Sequence, residues 1–249
     1  MTRVAWVTGG GSGLGRALAL EMAHDGWAVA VSGRRDGALR ETCSRGPAGH
    51  IHAVPCDVRD EAAMARAARD IEAELGALEL AVFNAGTADT APGGEFQPGV
   101  FRHTLEVNFL GTVNGIAAVL PGMRQRGRGQ IAMTASLAGY RGLPTAAAYS
   151  ASKAAIINLA ESLQLQLRGD GIRVSVINPG FVRTPMTGQN AFPMPFLMEP
   201  GPAAKAMYAG LMGGAFEITF PRRLAWTAKL LKALPYALYF PLLRRAAGR

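Results

Sequence analysis

The chain has 249 residues, 49% of them hydrophobic and 18% charged, so it can bury a large core and is not a disordered or low-complexity segment. Its formal charge is +8, yet seven of its 26 Lys and Arg fall in residues 221–249, which hold no acid; residues 1–220 carry 19 basic against 18 acidic side chains. A nucleic-acid-binding reading would want a basic face on the body, and none is apparent in so nearly neutral a stretch, while two cysteines, Cys43 and Cys56, do not make a disulfide scaffold.

Val4 opens a strand-like run directly, without the basic, apolar and cleavage regions of a leader, and no 18-residue uncharged apolar run follows. A cytoplasmic chain without a membrane span is expected. Strand-like runs recur at 4–8, 27–32, 51–54, 78–83, 130–135, 172–177 and 216–219, with helix-compatible stretches between most of them, clearest at 14–25, 60–75, 99–126 and 149–168. Runs such as WAVAVS and RVSVIN are almost wholly apolar, as strands covered on both faces are. The alternation predicts an α/β fold: a Rossmann-like, doubly wound parallel sheet of about seven strands with helices on both faces, in one domain over 1–220. Ligands of such sheets bind at the strand C-termini.

The first strand runs into VTGGGSGLGRALAL. Glycines stand at 9, 10, 11, 13 and 15, but the G-x-G-x-x-G spacing is absent, because Leu14 and Arg16 interrupt it. Thr8, Gly9, Gly11, Ser12, Gly13, Leu14 and Gly15 would suit a backbone cradle that presents a helix N-terminus to a pyrophosphate. By itself the run serves equally well as a flexible strand–helix turn. The second strand ends in Ser32, Gly33, Arg34 and Arg35. A dinucleotide site that reads a ribose 2′-hydroxyl usually carries an acid here. Two guanidinium groups instead can grip a 2′-phosphate. If the glycine loop is a cradle, NADP(H) is expected rather than NAD(H).

AAAYSASKAA places Tyr149 and Lys153 four apart, on one helix face. An ammonium beside a phenol favours the phenolate and makes a proton donor and acceptor usable near neutral pH. A carbonyl substrate would also need a hydrogen-bond donor at its oxygen, and Ser136, just after the fifth strand, is placed for that. Alone, Tyr-x-x-x-Lys reads as a helix surface pair. The four histidines and the carboxylates of IEAELGALEL read as surface or loop residues, and no metal-ligand constellation is present.

Together these pieces stand in the order and spacing of the short-chain dehydrogenase/reductase family, and the resemblance covers roughly residues 4–220. Asp57 and Val58 resemble the family's adenine contact. VFNAG, with Asn84, Ala85 and Gly86, is similar to its Asn-Asn-Ala-Gly stretch, except that Phe83 replaces the first asparagine, from which a local packing change is expected. Asn108 matches the helix asparagine of the catalytic tetrad. INPGFVRTPM, with Pro179, Gly180, Val182 and Thr184, matches the segment beside the nicotinamide. Some NADP(H) members carry a basic residue before the middle glycine of the loop. Here Ser12 stands there, so the NADP(H) expectation rests on Arg34 and Arg35.

The resemblance implies a hydride transfer between nicotinamide and a carbonyl or secondary alcohol. Ser136 would position the oxygen, Tyr149 exchange the proton, Lys153 lower the Tyr149 pKa and hold the nicotinamide ribose, and Asn108 hold a water that relays protons to Lys153. Tyr149 and Lys153 thus serve both catalysis and cofactor binding. The alternatives on the same fold are a catalytically weak cofactor-binding regulator and a membrane-recruited scaffold. A homodimer or homotetramer is implied by family habit.

Residues 185–200 are expected to form a substrate loop. Met186, Phe192, Met194, Phe196, Leu197 and Met198 suit an apolar substrate, or plain packing. The basic tail, 221–249, reads as helical and broken by Pro235 and Pro241, with Leu224, Ala228, Leu231 and Leu234 as an apolar stripe. Three occupants suit it: a peripheral contact with the inner membrane surface, a second subunit, or the substrate pocket as a closing flap.

Overall fold

The computed structural model describes residues 2–89, 95–189 and 193–246. Seven strands form one parallel sheet: β1 (Val4–Thr8), β2 (Ala28–Ser32), β3 (Ile51–Ala53), β4 (Leu78–Phe83), β5 (Gly129–Thr134), β6 (Ile172–Pro179) and β7 (Glu217–Phe220), in the order β3-β2-β1-β4-β5-β6-β7. Every residue of β1 and β2 is buried, as their unbroken apolar sequences require when both sheet faces are covered. Helices α1 (Gly13–His24), α2 (Asp36–Arg45), α3 (Glu61–Leu75), α4 (Pro98–Leu105), α5 (Gly111–Arg126), α6 (Ala147–Gln166) and α7 (Pro200–Met212) flank the sheet. Two apolar cores result: one is centred on Trp6, Phe83, Met123 and Ile156, the other on Leu18, Met22, Ile177 and Met207. Strand order reverses between β1 and β4, so the loops that follow them diverge and leave a crevice at their C-terminal ends.

The 99–126 stretch is not one helix. A π-helical turn, Glu106–Leu110, separates α4 from α5 and carries Asn108, which is fully buried. Such a turn inserts a residue into the helical repeat and redirects the side chains it holds. The tail forms two helices, α8 (Arg222–Ala233) and α9 (Tyr236–Ala246), parted at Pro235; Pro241 lies inside α9 without ending it.

Phe83 shows how the family asparagine is replaced. Its ring is buried edge-on against Trp6, with centroids 6.1 Å apart. The space comes from Gly115 on α5, where a Cβ would lie 2.2 Å from the ring. The expected local packing change is therefore a paired one: a large ring on the strand and a missing side chain on the helix.

Candidate active site

Ser136, Tyr149, Lys153 and Asn108 converge at the C-terminal ends of β4 and β5. Ser136 caps a short 3₁₀ turn, Leu137–Gly139, by accepting from the Ala138 amide at 3.1 Å, and donates weakly to the Pro179 carbonyl at 3.4 Å. Its hydroxyl also acts on the Tyr149 phenol, pulling that group's pKa down. Tyr149 and Lys153 lie on α6; Tyr149 is half-buried and Lys153 is buried. The Lys153 ammonium donates to the Thr134 carbonyl at 2.8 Å and lies 5.6 Å from the centre of the Tyr149 ring. Burial lowers this lysine to about 8. Burial also pushes the phenol above its ordinary value, against the opposing pull of the Ser136 bond. The expectation that Lys153 lowers the Tyr149 pKa is thus not met here: the ammonium faces the ring, and its hydrogen bond goes to the backbone.

The Asn108 side chain is held at both ends of its amide. Its Oδ1 accepts from the Thr87 amide at 2.7 Å, and its Nδ2 donates to the Thr87 carbonyl and to Ser152 Oγ, both at 2.9 Å. The Asn108 backbone carbonyl accepts from Thr112 Oγ1 at 2.8 Å. Gly86 brings the fourth-strand loop against this pair: a Cβ there would lie 3.1 Å from Asn108 Oδ1 and 3.5 Å from Lys153 Nζ.

The crevice holds a cleft of about 220 Å³, lined among others by Gly9, Gly11, Ser12, Arg34, Arg35, Asp57, Val58, Ala85 and Gly86. Other expected cofactor residues form its frame. Thr8 Oγ1 accepts from the Asn84 and Ala85 amides at 3.0 and 3.1 Å, and Asn84 Nδ2 donates to the Thr8 carbonyl. A Cβ on Gly15 would fall 2.5 Å from both Asn84 Nδ2 and the Gly9 carbonyl, and Leu14 is buried beneath the turn. Gly13, at φ +55°, brings the loop against Thr184, 3.0 Å from where its Cβ would stand. A bare-backbone cradle at the start of a helix, walled by cations, fits a dinucleotide pyrophosphate. Val182 differs from the others: its side chain is buried in the core and its carbonyl accepts from Thr187 Oγ1 at 2.7 Å. Gly180 packs under α8, with a Cβ position 2.7 Å from Leu224.

Residues 3–192 match the short chain dehydrogenase family model. The chain belongs to the short-chain dehydrogenase/reductase family. It is an α/β oxidoreductase of the NAD(P)-dependent kind that acts on CH-OH groups. An uncharacterized oxidoreductase of Myxococcus xanthus is 41% identical over 245 residues, 98% of this chain and 97% of the relative, an alignment long enough to take in the tail. A 2-dehydro-3-deoxy-L-rhamnonate dehydrogenase (NAD(+)) of Sphingomonas is 38% identical over 188 residues, 75% of each chain. Among solved structures, a short-chain dehydrogenase/reductase of Burkholderia phymatum in complex with NAD superposes with a TM-score of 0.84 at 25% identity, covering 92% of both chains.

Several residues of this dehydrogenase site escape a motif reading. Thr87 and Ser152 orient Asn108 through backbone and hydroxyl groups that carry no signature. His103, read from sequence as a surface residue, lines the cleft from α4, and its Nε2 stands 3.5 Å from Asp89. Arg16 stitches the glycine loop to α2: it donates to the Gly11 carbonyl at 2.6 Å, to Thr42 Oγ1 at 3.0 Å and to Glu41. Its place after the last glycine was the available signal. Around the segment expected to be a substrate loop, Val182 and Met198 form a parallel bridge, and the Met198 side chain packs on the core. Met186 and Phe196 are exposed, while Phe192 lies outside the described residues. Among the described residues no helix is long and apolar enough to cross a membrane.

Proposed function

We propose that this dehydrogenase is an NADPH-preferring reductase of apolar carbonyl compounds, with Ser136, Tyr149, Lys153 and Asn108 as its working set. The observation that carries the reading is a buried lysine held over the Tyr149 ring beside Ser136, next to a cradle of glycines. A nicotinamide dinucleotide held by that cradle supplies the hydride. Negative charge then develops on the substrate oxygen, where the Ser136 hydroxyl, released from its long bond to Pro179, and the Tyr149 phenol can both donate. A phenol kept protonated by burial is ready as the acid, which favours carbonyl reduction. Lys153, tied to the Thr134 carbonyl at 2.8 Å, is placed to hold the nicotinamide ribose. Asn108, locked by Thr87 and Ser152, fixes the wall behind Lys153.

Support for NADPH comes from the rim of the cleft. Arg34 and Arg35 are exposed and line it, where a 2′-phosphate would need cations. The nearest following acid, Asp36, accepts from Arg40 at 2.7 Å and is not among the lining residues. Support for an apolar substrate comes from exposed Met186 and Phe196 in the substrate loop.

A panel of apolar ketones and aldehydes, followed by NADPH absorbance, tests this reading. Turnover of at least one substrate is expected. Tyr149→Phe should lower kcat by about 10²–10⁴ while the NADPH Kd, read by fluorescence titration, stays unchanged. A Tyr149→Phe enzyme within about tenfold of wild type would remove the phenol from the chemistry.

A further inference from the structure

The tail carries an exposed surface that the reaction does not use. On its inner side it is firmly seated. Ala225 is buried, Leu224 and Ala228 pack on the core, and the Tyr239 hydroxyl donates to the Gly142 carbonyl at 2.8 Å. Arg141 donates to the Lys232 and Leu234 carbonyls at 2.8 and 2.5 Å, with its guanidinium 4.7 and 5.0 Å from the Tyr236 and Tyr239 ring centres. Lys229 pairs with Glu217, which also accepts from Tyr140 and Asn178. The apolar stripe read from sequence, Leu224, Ala228, Leu231 and Leu234, is therefore the partly buried side of the tail and not a free surface.

The tail nevertheless exposes large apolar side chains. Trp226, Leu230, Tyr236, Leu238, Phe240 and Leu242 are between 46% and 73% exposed. The other seven large exposed hydrophobics are scattered over the rest of the described chain. Six such side chains within 17 residues form a concentration that isolated surface hydrophobics do not. Arg222, Arg223, Arg244 and Arg245 flank them, exposed and in no ion pair among the described residues.

Charge decides the occupant. A second copy meeting this surface symmetrically would set one acid-free tail of +7 against another. An anionic lipid surface satisfies both features at once, since apolar and aromatic side chains enter the interface while arginines meet the head groups. We propose that the α8–α9 hairpin docks the enzyme on anionic lipid through Trp226, Leu230, Tyr236, Leu238, Phe240 and Leu242, with the four arginines at the phosphates. The docked surface continues into a groove of about 460 Å³ between the tail and the segment before α6, lined by Leu143, Pro144, Tyr239, Phe240, Leu243 and Arg244. Phe240 and Arg244 belong to both, so the groove opens where the lipid would lie.

Co-sedimentation of the full chain with phosphatidylcholine vesicles, with and without about 30 mol% phosphatidylserine, tests this. Binding to the anionic vesicles should be at least about tenfold stronger and should fall at about 0.5 M salt. Trp6 and Trp27 are buried, so quenching by brominated lipid reports Trp226. Replacing Trp226, Leu230 and Phe240 by Ser should abolish binding and quenching while the thermal melt stays unchanged. Arg→Gln at 222, 223, 244 and 245 should bring anionic binding down to the neutral level. The proposal is overturned if wild type fails to sediment with anionic vesicles. It is equally overturned if the Ser variant still binds, if Trp226 is not quenched, or if the Ser variant instead converts a dimer to a monomer in sedimentation velocity.

Discussion

Lys153 gives its hydrogen bond to the Thr134 carbonyl at 2.8 Å, while the Tyr149 ring lies beneath it at 5.6 Å. The lysine is thus held by the backbone and is buried as a charge, with a pKa of about 8 in place of 10.5. Between those two values the unfolded chain binds more protons than the folded one, so stability rises with pH across that window. Below about 8 both states are protonated, and the full cost of burying the charge is present. In cofactor-free protein, wild type should gain about 3 kcal/mol relative to Lys153→Met as pH rises from about 7 to about 10.5. Urea unfolding of both proteins across that range measures the difference. Parallel pH profiles would mean that Lys153 keeps its ordinary pKa.

Arg34 is exposed on the rim of the cleft, and its charge acts on Asp57 across it. Arg34→Asp would repel a 2′-phosphate and offer an acceptor to a ribose 2′-hydroxyl. The ratio of kcat/KM for NADPH to that for NADH should fall by about 10² or more, a charge-assisted bond being lost and a like charge gained. An unchanged ratio would leave cofactor choice to other residues.

Gly115 and Phe83 occupy one volume between them. Gly115→Ala should destabilise the fold by about 1–3 kcal/mol through overpacking, since the new Cβ would fall 2.2 Å from the ring. In a Phe83→Asn background the same change should cost much less. A double-mutant cycle by denaturant unfolding gives the coupling. Additive effects would show that the ring and the helix relax independently.

The strands were legible because doubly covered sheets demand unbroken apolar runs, and β1, β4 and β7 lie within a residue of the expected spans. The π-helical turn at Asn108 was not, because the apolar pattern of 99–126 continues through it and only the backbone repeat changes. Ser136, Tyr149 and the cradle glycines could be found from side-chain chemistry. Thr87 could not, since it holds Asn108 through its amide and carbonyl, which every residue possesses. The tail was read as helical and basic, yet its packed and free faces are both apolar, and a helical wheel cannot tell them apart. Arg141 decides the matter by gripping tail carbonyls, an interaction invisible in composition.

The bridge between Val182 and Met198, reinforced by backbone bonds from Arg183 to Met198 at 2.8 Å and from Met198 to Phe181 at 2.9 Å, brings residues 181–183 and 198 to one point on the body. What lies between them is a cassette on a fixed stem. Because the entropy of closing a loop grows only slowly with its length, cassettes of other sizes could be grafted onto this stem without re-registering β6 or α7. Such an exchange would leave the surroundings of Ser136, Tyr149 and Lys153 as they are.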